Sequence, residues 1–167
     1  MAADAQEVAR VHVRSWQVAY RGLLPADYLD GLRADERAAR YTFGQAGGEG
    51  PETIVALEAG AICGFATTGP AGGGDDPVVG ELLALYVDRG CWGRGVGRRL
   101  ITEARGRLLG RDFTNAILWV LAGNERAERF YRADGWAPDG ARRREVIWGV
   151  AAEEVRSAVT WDEYVRR

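Results

Sequence analysis

The sequence predicts one mixed α/β domain, and three observations carry that reading. Apolar residues recur at helical spacing near the start, β-forming runs alternate with breaker clusters through the middle, and a glycine-dense stretch separates a strand-like run from a helix-like one. A chain of 167 residues can bury one substantial core but is too short for two ordinary domains, so residues 1–167 are read as a single unit.

Each element follows from local pattern. Val8, Val11, Ser15, Trp16 and Ala19 share one face of a helix in "DAQEVARVHVRSWQVAY", with Asp4 near its cap. A second short helix follows Pro25, through Leu29 and Leu32, and "GQAGGEGP" reads as a loop. "ETIVALEAGAICGFATTG" gives two strands joined at Ala59 and Gly60. "GGGDDP" breaks the chain, "VVGELLALYV" is a strand, and "CWGRGVGRRL" opens a helix that runs to Leu109. "FTNAILWVL" is a further strand and "NERAERFYRADG" a helix ending at Gly135. "REVIWGV" and "EEVRSAVTW" form a closing antiparallel pair.

Composition excludes several classes of function. A net charge of −2 provides no basic footprint for nucleic acid. No apolar run approaches the roughly 20 residues of a membrane span. "MAADAQEVAR" lacks the basic and apolar regions of a signal peptide, which implies a cytoplasmic location. Cys63 and Cys91 are too few for a disulfide scaffold or a zinc site, so no metal is expected. All 22 basic residues are arginine, which rules out a P-loop, whose lysine must reach the phosphates.

The glycine stretch has a physical use. The first N–H groups of a helix lack internal partners and sit at the positive end of its dipole, so they suit an anion. Gly93, Gly95 and Gly97 would let a phosphate or pyrophosphate approach that backbone; the alternative is a turn that merely lets the helix pack on a sheet. A dinucleotide-binding fingerprint would need a third glycine where Arg98 stands. Further on, Asn124 and Tyr131 lie seven residues apart, about two turns along one helix face.

"ELLALYVDRGCWGRGVGRRLITEA" followed by "LWVLAGNERAERFYRADGW" resembles the cofactor-binding strands, loop and helices of the GNAT superfamily of acyl-CoA-dependent N-acyltransferases, over a span of roughly a third of the chain. "SWQVAYRGLLPADYL" resembles the N-terminal helical segment of many bacterial members. Two features depart from the family pattern. Trp92 stands where the loop usually has Gln or Arg, and the chain starts almost inside its first helix, where the family commonly has a strand.

The resemblance implies a mixed, mostly antiparallel sheet flanked by helices and splayed at its centre to admit acetyl-CoA. Leu85, Tyr86 and Val87 would then offer backbone groups to the pantetheine arm. The amides of Gly93, Arg94, Gly95, Val96, Gly97 and Arg98 would cradle the pyrophosphate, with Trp92 at the loop's start. Asn124 would bond the pantetheine, although capping its own helix accounts for it equally well. Tyr131 would protonate the leaving thiolate; the competing reading is core packing beside Phe130 and Trp136.

A free alkylamine has a pKa of about 10.4, so its proton must go to some base before it attacks. Glu81, a charged residue in an apolar strand, matches the catalytic glutamate of the superfamily's histone-acetylating branch; the alternative is an exposed strand start after Gly80. A β-strand amide near Tyr86 would stabilise the oxyanion.

The implied function is an N-acetyltransferase acting by direct attack on a primary amine of a small molecule or peptide. The alternative is a non-catalytic acyl-CoA-binding or sensing protein on the same fold. A homodimer through sheet edges or the C-terminal strand, which carries Trp161, is expected from the same resemblance. His12 is read as a structural residue, and Trp16 and Tyr20 as core, the alternative being that they border the acceptor pocket. Arg142, Arg143 and Arg144 are read as a solvated strand edge or an attractor for acid groups, and Cys63 and Cys91 as plain thiols.

Overall fold

The computed structural model describes residues 2–39, 50–72 and 78–161. Helices α1 (Ala2–Ala19), α2 (Ala26–Asp30) and α3 (Ala34–Ala38) precede strands β1 (Glu52–Glu58), β2 (Ala61–Pro70) and β3 (Val79–Val87). Helix α4 (Val96–Leu109), strand β4 (Asn115–Leu121), helix α5 (Glu125–Ala133) and strands β5 (Ala137–Ile147) and β6 (Val150–Thr160) follow. The strands form one sheet in the order β1-β2-β3-β4-β6-β5. Every neighbouring pair is antiparallel except β3 with β4.

That exception makes the site. β3 and β4 pair only over Val79–Glu81 and Asn115–Ile117. Beyond this point β3 stays on β2 as far as Val87, β4 stays on β6 as far as Leu121, and the two central strands part. Two features of β3 bring this about. At Gly80 a Cβ would lie 2.7 Å from Leu108 and 3.0 Å from Phe113, so glycine lets the end of α4 press onto the strand where pairing holds. Just beyond, Thr67 pairs with Ala84 but Thr68 with Leu82, which leaves Leu83 as the extra residue of a β-bulge. A bulge bends its strand, and here the bend coincides with the loss of pairing to β4.

Helices cover both faces. Successive residues of a strand face opposite sides; Ala66 packs with Leu100, Ile101 and Ala104 of α4, whereas Phe65 packs with Val8 and Val11 of α1. The helical face read in "DAQEVARVHVRSWQVAY" is the buried one. α5 is fixed to α4 by a buried ion pair: Arg105 Nη1 lies 3.0 Å from Asp134 Oδ2 and donates to the Asp134 carbonyl at 3.1 Å. Trp136 Nε1 also donates to that carboxylate, at 3.1 Å.

Three expectations need correction. Leu32 lies outside α2, and α3 is an additional helix. β5 starts at Ala137, because a bulge takes up the Asp139–Gly140 breaker between Pro138 and Arg142. "REVIWGV" is not one strand: Trp148 and Gly149 have φ of 52° and 88° and form the two-residue turn between β5 and β6. Residues 44–49 and 73–77, within the expected loops "GQAGGEGP" and "GGGDDP", lie outside the described residues. Among the described residues the first element is helix α1, and no helix is long and apolar enough to cross a membrane.

Candidate active site

The gap between β3 and β4 opens into a cleft of about 500 Å³. Leu85, Tyr86, Val87, Trp92, Gly93, Gly95, Val96, Gly97, Arg98, Asn124 and Tyr131 all line it. Gly93 and Gly95 have φ of 76° and 80°, a left-handed backbone that other residues adopt at a cost, and a Cβ on either would meet open space. Gly95 caps α4 with no side-chain hydrogen bond, so the first amides of that helix remain open to an anion.

Three side-chain contacts add to what the sequence suggested for this loop. Gly97 is needed for packing, since a Cβ there would lie 3.3 Å from the Phe130 ring of α5. The Arg94 side chain does not line the cleft and pairs with Glu58 at 2.6 Å. The Val87 carbonyl already accepts from Trp92 Nε1 at 2.8 Å, so Trp92 ties the loop back to β3.

Arg126, which the sequence did not single out, lies 3.3 Å above the Trp92 ring and lines the cleft. Partial withdrawal from water lowers its pKa, and nearby Arg129 and Arg89 lower it further, which marks this rim as electropositive.

Asn124 caps α5 by accepting from the Ala127 amide at 3.3 Å, and it lines the cleft as well. Tyr131 combines two readings in the same way: its ring packs edge-on to Phe130 and Trp136 while the residue borders the cleft. Burial first, and then neighbouring Tyr86, hold its phenol protonated far above the ordinary range.

A second cavity, of about 210 Å³, adjoins the first; Tyr20, Leu83, Ala84, Tyr86 and Trp119 line both. Glu81 lies in this second cavity, buried at 6% exposure, which excludes the exposed-strand-start alternative. Its Oε2 accepts from the Gly72 amide at 3.2 Å. Burial raises its pKa and Glu154 adds to the rise, against opposing contributions from the Gly72 amide and Arg143.

In a regular strand Glu81 and Tyr86, five residues apart, would face opposite sides. The extra residue at Leu83 restores them to one face, alongside Ala84.

The Arg143–Glu154 pair in this cavity was not foreseen. Arg143 is not a solvated edge residue: its Nε donates to Glu154 Oε2 at 2.7 Å, and its guanidinium lies 4.2 Å over Trp119. Arg142 does lie outside, paired with Glu153 at 2.8 Å. Arg143 and Glu154 are cross-strand partners, so only the β5–β6 register reveals them.

Trp16 and Tyr20 are buried as expected but also form cavity wall, with Trp16 stacked on Trp148 at 3.9 Å. Tyr20 and Tyr86 hydroxyls are 3.1 Å apart. His12 is buried against Tyr86 and Trp148; burial, with Arg37, lowers its pKa and keeps it neutral. The Cys91 thiol donates to Glu58 at 3.1 Å, which pushes it up to about 12 and leaves it unreactive. No cluster of three or more metal-ligating side chains occurs among the described residues.

Residues 13–136 match the model of the acetyltransferase (GNAT) family. The chain belongs to the GNAT family. Among its relatives, the uncharacterized N-acetyltransferase YuaI of Bacillus subtilis is 30% identical over 154 residues, 87% of each chain. The GNAT fold recurs in the PaiA N-acetyltransferase of Thermoplasma acidophilum, solved with coenzyme A, at a TM-score of 0.68 and 16% identity over 95% of this chain and 94% of that one. It recurs again in a GCN5-related N-acetyltransferase of Kribbella flavida, at a TM-score of 0.69 and 18% identity over 95% and 92%. The GNAT assignment fits the parted central strands, which are this chain's main departure from a continuous sheet.

Proposed function

We propose that the protein transfers the acetyl group of acetyl-CoA to a primary amine by direct attack. The observation that carries this reading is the meeting of two cavities at the β3–β4 gap, with Tyr131 in the wall of one and Glu81 in the wall of the other. The larger cleft fits the donor in shape and chemistry. The uncapped start of α4 and the Arg126 rim suit phosphates, and the edge of β3 vacated by β4 offers backbone groups to an extended amide chain.

Acetyl-CoA supplies a thioester carbonyl and a thiolate leaving group. Glu81 accepts a proton from the incoming ammonium, a task helped by a carboxylate whose basicity burial has raised. A β3 amide near Tyr86 faces the carbonyl oxygen as negative charge develops on it. Tyr131, still protonated at any working pH, donates to the sulfur as the carbon–sulfur bond breaks, and the excess proton left on the new amide nitrogen restores the phenol.

Thermal unfolding with added ligand tests the donor assignment. CoA and acetyl-CoA raise Tm by mass action on the folded state, and NAD or ATP does so much less. An equal rise with NAD would count against the reading.

A further inference from the structure

We infer that the acceptor is a compact primary amine on an aromatic or apolar body that carries no anionic group. This rests on the acetyltransferase reading above and concerns only the smaller cavity.

Its volume of about 210 Å³ is less than half that of the cleft, so it suits a small body rather than a folded surface. The walls are aromatic: Trp16, Trp119, Trp148, Tyr20 and Tyr86. Such walls favour flat apolar groups and cations over anions.

The charges decide the rest. Two carboxylates, Glu81 and Glu154, and one guanidinium, Arg143, line the cavity. Arg143 is committed to Glu154 at 2.7 Å and to the face of Trp119. Arg37 lies on the Trp148 ring; its charge reaches His12 and Tyr86 in the wall, but its side chain is not part of the lining. His12, the remaining basic side chain in the wall, is held neutral.

An α-amino acid would therefore place its carboxylate beside Glu81 and Glu154, two carboxylates against one guanidinium whose Nε already serves Glu154, which is costly in a buried site. An ammonium meets Glu81, whose carboxylate is bonded to one amide and has acceptor positions to spare. Glu154 thus acts as a specificity-determining residue, by occupying the cation that would otherwise bind an acidic substrate.

The test compares phenethylamine, phenylalanine and trialanine as acceptors, by thiol release from acetyl-CoA on the full chain. Phenethylamine should exceed each of the others in kcat/KM by tenfold or more. A smaller ratio overturns the inference, as does the absence of transfer to any of the three while CoA still raises Tm; both leave the acetyltransferase reading standing. Absence of both transfer and a CoA effect on Tm overturns the two together.

Glu154→Gln releases Arg143 and should narrow the phenethylamine-to-phenylalanine ratio at least tenfold, with the CoA effect on Tm retained. An unchanged ratio in the folded variant overturns the role given to Glu154. If this variant does not fold, the wild-type ratios decide.

Discussion

Glu81 and Tyr86 share one cavity wall across a five-residue separation, because the bulge at Leu83 shifts the alternation of β3 by one. The same bulge stands where β3 leaves β4. One irregularity therefore stands where the cleft opens and sets Glu81 and Tyr86 on the same wall of the smaller cavity.

Glu81→Gln keeps the shape of the side chain and its bond from Gly72 but cannot take a proton. We expect kcat/KM to fall roughly 100- to 10,000-fold, with the greatest loss at low pH and partial recovery as rising pH deprotonates the amine itself. A pH–rate profile checks this. A loss of the same factor at every pH would assign Glu81 to positioning instead.

The same variant has an opposite effect on stability. Glu81 has its folded-state pKa raised, chiefly by burial, so the fold favours the neutral carboxyl. The resulting stabilisation is full below the unfolded pKa and is lost as pH rises through the folded one, so ionisation of Glu81 weakens the fold. Glu81→Gln should therefore raise Tm relative to wild type more at pH 7 than at pH 4. Thermal unfolding at the two pH values decides, and a lower Tm at pH 7 contradicts the argument.

Tyr131→Phe removes only the hydroxyl. Turnover should fall roughly 100-fold or more while the CoA effect on Tm stays, and the loss should shrink with a donor whose thiol leaves more easily. Because its phenol is held protonated, the wild-type profile should show no alkaline limb from Tyr131 below about pH 10. Loss of CoA binding in the variant would assign Tyr131 to packing.

Gly95 and Gly97 separate by their surroundings. Gly95→Ala meets no atom but forces an L residue to a φ of 80°, so it should cost about 1–2 kcal/mol and project a methyl toward the phosphates, weakening the CoA effect. Gly97→Ala presses on Phe130 and should displace α5 instead, lowering Tm without ligand. Unfolding curves with and without CoA distinguish the two.

Arg105→Leu should destabilise the fold by about 3–5 kcal/mol, because it leaves the Asp134 carboxylate buried with only Trp136 as a side-chain partner. Urea unfolding measures the difference, and a change below about 1 kcal/mol would contradict the assignment of this pair as the α4–α5 clasp.

The strand–loop–helix order around Gly93 and Gly95 was legible because glycine density and helical spacing are local signals, and Glu81 stood out as a charge in an apolar strand. That Gly97 also makes room for Phe130 was hidden, because a sequence does not distinguish approach by an anion from approach by a ring of another helix. The turn at Trp148 was hidden because its left-handed first residue is a tryptophan rather than the usual Asn or Gly. Arg143 and Glu154 were invisible as a pair because their meeting depends on a register set across two strands and a bulge.

Initial velocities with acetyl-CoA and phenethylamine varied together test the central claim most directly, since two adjoining cavities hold both substrates at once. The account predicts intersecting double-reciprocal lines, the mark of a ternary complex; parallel lines, which signify an acetyl-enzyme formed before the amine binds, would contradict it.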